Sequence, residues 1–112
     1  MSSRLLPKSE WQSYFDHLSR HLSVQQVRIE VSGLSLGNQV AADRLTLLGI
    51  TYEPKSGLLE VALEGLDHMI HGPDEIFVEE SADSLQAMSV VDAEGQRQLI
   101  QLSEPLRLAS RP

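Results

Sequence analysis

Apolar residues recur at Trp11, Phe15, Leu18 and Leu22, steps of four, three and four that lay one stripe along an amphipathic helix. The pattern predicts a helix over residues 9–22. Pro7 precedes it, Ser9 stands where an N-cap belongs, and Gln12 follows three residues on as the capping-box partner. Gln12, Ser13, Asp16, Ser19 and Arg20 fall on or near the opposite face. The stripe itself serves either to pack the helix on the rest of the chain or to meet a partner.

Beyond Leu22 the period changes to two. Val27, Ile29 and Val31 alternate with Arg28, Glu30 and Ser32, the pattern of a half-buried strand. A second strand region covers residues 40–52, with Leu48, Ile50 and Tyr52 on one face. Pro54-Lys55-Ser56-Gly57 is a turn, because Pro presets φ and Gly accepts a positive one. Leu59, Val61 and Leu63 then alternate with Glu60, Ala62 and Glu64. Gly65 interrupts, and residues 66–71 resume before Gly72-Pro73. Residues 76–79 form a short strand, and residues 88–91 and 99–102 form a hairpin about Asp92 to Gly95.

The order is one helix followed by roughly five to seven antiparallel strands. No strand–helix–strand alternation appears, so a parallel sheet is disfavoured. The expected class is α+β: a curved sheet or small, partly open barrel of SH3/Sm-like order, covered by the helix. Residues 1–104 make one compact domain and residues 105–112 a partly ordered tail.

Charge changes this picture more than composition does. The 112 residues carry a net charge of −7, and between Lys55 and Arg97 there is no basic side chain. A phosphate backbone is repelled by such a surface, so nucleic acid is disfavoured as a partner. Arg4, Lys8, Arg20 and Arg28 form the only plausible basic footprint. With no cysteine, disulfides, thiol nucleophiles and Cys-ligated zinc are excluded. No apolar run reaches the roughly 20 residues that span a bilayer, and a cytoplasmic location is the default expectation.

Candidate chemistry centres on histidine. His17 and His21 stand four apart on the helix, a metal-pair spacing, but Leu18 occupies the place where a zinc-protease motif needs Glu. The stretch DHMIHGPDEIFVEES, residues 67–81, joins His68 and His71 to a run of carboxylates. As a strand it sends the two histidines to opposite faces and places Leu66, His68 and Ile70 on one. Asp74, Glu75, Glu79 and Glu80 then read as the cover of a solvated edge. His17, His21 and His68 are the weak metal candidates of a metal-dependent enzyme. No serine elbow, phosphate-binding loop or cofactor motif accompanies them, so no catalytic residue or cofactor is assigned.

The residues also resemble a known family. WQSYFDHLSRH at residues 11–21, IEV at 29–31, LGNQVAADRLTLLGI at 36–50, and the spacing of His68, Ile70, Pro73 and Ile76 are similar to a small, uncharacterised bacterial family, a domain of unknown function (DUF5335). That resemblance implies a stand-alone compact domain and transfers no activity, ligand or catalytic residue. The reading taken forward is a non-enzymatic accessory or interaction domain. It is expected to form homo-oligomers, a dimer first, with a further protein partner open. An Sm-like nucleic-acid-binding barrel and a His17/His21 metal enzyme stand as alternatives.

Overall fold

The computed structural model describes residues 2–108 other than Leu36. In chain order it contains β1 (Ser2–Leu5), a 3-10 turn (Lys8–Glu10), α1 (Trp11–Arg20), β2 (Gln26–Gly33), β3 (Gly37–Glu53), β4 (Leu58–Leu63), β5 (Leu66–His71), β6 (Glu75–Ser81), β7 (Ser84–Val91) and β8 (Arg97–Arg107). The strands make one antiparallel sheet in the order β1-β6-β7-β8-β2-β3-β4-β5.

The helical stripe faces inward. Trp11, Phe15 and Leu18 are buried, and Leu22 packs against the core from a half-buried position. Burying each large apolar side chain contributes roughly 1.5–3 kcal/mol. Trp11 meets Tyr52 edge-on at 5.1 Å between ring centroids and donates its indole N–H to the Leu6 carbonyl at 2.9 Å. The expected capping box does not form. Residues 8–10 already wind in the tighter 3-10 geometry, with Glu10 N–H on the Pro7 carbonyl, so Ser9 lies inside that turn. Glu10 becomes the N-cap and contributes no side-chain bond to the cap.

Eight strands replace the expected five to seven, and the sheet stays open. One addition is β1, which pairs with β6 from Ser2 opposite Glu80 to Leu5 opposite Phe77. The expected tail is also corrected in part. β8 continues to Arg107, with Leu106 buried and Leu108 against the core, while residues 109–112 lie outside the described residues.

β3 is the hinge of the architecture. Its first part pairs with β2 and its last part with β4, and the register slips once at each of Ala41, Arg44 and Leu48. An extra residue bends a strand and deepens its twist. Arg44 adopts φ 60°, the left-handed region that non-glycine residues seldom enter. The bulge at Leu48 also corrects the expected facing. Leu47, Ile50 and Tyr52 are buried, and Leu48 is turned out to solvent. Where β2 has left β3, the Ser19 hydroxyl takes its place. It donates to the Ile50 carbonyl at 2.9 Å and accepts the Ile50 N–H at 3.0 Å.

Only residues 72–74 join β5 to β6, although the two strands lie far apart in the sheet order. The sheet must therefore curl until the end of β5 meets the start of β6, where Asp74 N–H reaches the Val91 carbonyl at 2.7 Å. The curl stops short of closure.

Candidate functional site

The curl brings β5 against β8. Alternation turns His68 and Ile70 of β5 inward, and Gln98, Ile100 and Leu102 of β8 inward as well, while Leu66 at the start of β5 is exposed. His68 Nε2 lies 2.6 Å from Gln98 Oε1, and Gln98 Nε2 donates to Asp92 Oδ2 at 3.1 Å. Asp92 Oδ1 accepts two backbone N–H groups, from Glu94 at 3.0 Å and Gln96 at 2.9 Å. Both carboxylate oxygens of Asp92 act as acceptors, so the Gln98 amide must present its nitrogen to them and its oxygen to His68. His68 Nε2 then donates its N–H to the Gln98 oxygen. Gln98 and Asp92 are buried, so their polar atoms require these partners.

This chain borders a cleft of about 510 Å³ lined by Met69, His71, Gly72, Asp92, Glu94 and Gln98, among others. His71 points away from His68 and is exposed, as strand alternation requires. The His68–Gln98–Asp92 chain thus fixes the His68 ring and holds the β7–β8 turn in shape, while the imidazole that lines the cleft is that of His71. Sequence reading found His68 and the turn separately. The link between them is Gln98, whose inward position signals nothing until β5 is known to face β8.

His17 and His21 do come together, with ring centroids 4.3 Å apart. Each already has a backbone partner: His17 Nε2 donates to the Leu108 carbonyl, and His21 Nδ1 donates to the His17 carbonyl at 2.9 Å. Among the described residues no three His, Asp or Glu side chains converge on a point where a metal could sit. The structure thus joins His17 to His21 and does not add His68 to them.

A third cluster was invisible in the sequence. Glu80 receives the Arg4 guanidinium N–H at 2.9 Å and the Tyr14 hydroxyl at 2.6 Å. Burial opposes the Glu80 charge, but the bonds from Arg4 and Tyr14 outweigh it and hold the carboxyl below its ordinary range. Burial and then the Glu80 bond push the Tyr14 phenol well up. The expected acidic edge is accordingly corrected. β6 lies between β1 and β7, so Glu79 and Glu80 belong to a stretch paired on both sides, while Glu75 pairs only with β7 and Asp74 precedes the strand.

The basic footprint is partly consumed. Arg4 is tied to Glu80, while Arg28 spans Glu30 at 2.9 Å and Asp43 at 3.1 Å. A shallow groove of about 790 Å³ beside Arg28 includes Arg44, Gln101 and Ser103, but also Asp43. Its charge is mixed, unlike the uniform positive track that a phosphate backbone selects.

An open antiparallel sheet with one helix on its core face defines a small α+β domain whose polar clusters mostly tie one strand to another. The chain belongs to the family described as a family of unknown function (DUF5335), whose model matches residues 2–111. It is similar to an uncharacterised protein of Aquifex aeolicus (strain VF5), 37% identical over 109 residues, covering 96% of this chain and 98% of the relative. No solved structure matches it.

Proposed function

We propose that the protein is a non-enzymatic accessory domain of the cytoplasm that acts by association, first with a second copy of itself. The observation that carries this reading is the open sheet with Leu66 and Met69 exposed along its terminal strand β5. Exposed strand ends invite further pairing, because their backbone groups have hydrogen-bonding capacity left over. The histidines fit a structural part, since His17, His21 and His68 each hold a hydrogen bond within the chain.

Sedimentation velocity of untagged protein across about 5 to about 500 µM tests it, the range in which a small interface is half-formed. The expected result is a weight-average sedimentation coefficient that rises with concentration from the monomer's value toward that of a dimer. A constant monomer throughout sinks self-association.

A further inference from the structure

Natural sheets protect their edges with short strands, Lys or Pro, and bulges. β1 has such protection: it is four residues long and contains Arg4. The stretch of β3 that overhangs β4 has it too, broken by the bulges at Ala41 and Arg44. β5 does not. Its six residues pair with β4 in unbroken register, and it contains no Lys, Arg or Pro. Among the described residues no backbone hydrogen bond beyond the β4 ladder engages residues 66–71.

We infer that β5 pairs antiparallel with β5 of a second copy, about a two-fold axis through Met69. The inference rests on the self-association reading and names its surface. An antiparallel strand can pair with its own copy only if its residues complement one another about a centre. Residues 66–71 meet that condition at Met69. In this register Asp67 lies opposite His71 of the second copy and the reverse, so each carboxylate faces an imidazole N–H. Met69, 39% exposed in the single chain, meets its counterpart on the same outer face. His68 falls opposite Ile70 on the inner face. A centre one residue earlier, at His68, would instead set Asp67 against Met69 and leave Leu66 facing Ile70, with no charge matched. The cleft between Met69, His71 and the β7–β8 turn keeps the edge approachable from that side.

Five variants test the pairing, each first checked for native circular dichroism and thermal unfolding. Met69→Lys puts two like charges face to face at the axis and is expected to weaken dimerisation at least about tenfold. Asp67→Lys alone weakens it as well, and Asp67→Lys with His71→Glu restores it by reversing both pairs. Met69→Cys adds one thiol to a cysteine-free chain, and a short bis-maleimide should link it into a covalent dimer, whereas Val40→Cys, at an exposed position of β3, should dimerise like the wild type without being cross-linked. If the wild type dimerises but Met69→Lys dimerises equally well, or the Met69→Cys chains do not link, β5 is not the interface and self-association through another surface stands. If the wild type is monomeric throughout, both the interface and the self-association reading fall.

Discussion

Glu80 is a half-buried carboxylate that stays charged because Arg4 and Tyr14 both donate to it. Its folded pKa is depressed, so its stabilisation is fully present above the ordinary glutamate value near 4.5 and is lost as the pH falls through the lower folded value. The sign is that of an acid whose charged form the fold prefers. Hydrogen bonds to a charged group contribute about 1.5–3 kcal/mol. Glu80→Gln is therefore expected to lower the unfolding free energy by about 1–3 kcal/mol at pH 7, with the gap shrinking in acid. Urea unfolding of both proteins at pH 7 and pH 3 measures it. A gap of unchanged size would mean that the Glu80 charge contributes nothing. None of this trio could be read from the chain, since Arg4, Tyr14 and Glu80 each follow unremarkable local patterns and meet only when β1, α1 and β6 assemble.

At the scale of elements, the turn between β5 and β6 is the tightest constraint. Gly72 has φ +60°, and a Cβ there would sit 3.1 Å from the Ala93 Cβ. Gly57 has a similar φ of +65° with nothing within 4 Å. Both positions strain an L-residue by about 1–2 kcal/mol, but only Gly72 adds a steric clash with the β7–β8 turn. Gly72→Ala should accordingly lower the melting temperature more than Gly57→Ala, by calorimetry at one pH. Equal losses would mean that the β7–β8 turn gives way freely. Most elements were legible because their signals are local: the helix in its four-three-four stripe, β2 and β4 in their alternation, the turns in their glycines and prolines. β1 was not, because SSRL has no period and becomes a strand only against β6. Leu48 misled for a related reason, since a bulge reverses facing without changing composition.

For the whole molecule, long-range pairing decides what the sequence could not. The strand order joins the N-terminus to residues near 80 and folds β5 over β8, and neither follows from any window of the chain. The candidate site was legible only as its separate parts, His68 and the Asp92 turn. The Ser19 bond to Ile50 belongs to the same class, and it bears on how the fold opens. Ile50 is a strand residue, yet its amide proton is held by a helix. Its exchange with deuterated water should therefore follow the undocking of α1, while the amides bonded between β3 and β4 follow the opening of the sheet. Ser19→Ala should speed exchange at Ile50 by more than at its strand neighbours, when each amide is followed by NMR. Uniform acceleration would mean that helix and sheet open together. A single half-buried hydroxyl thus makes one backbone proton a clock for the helix alone.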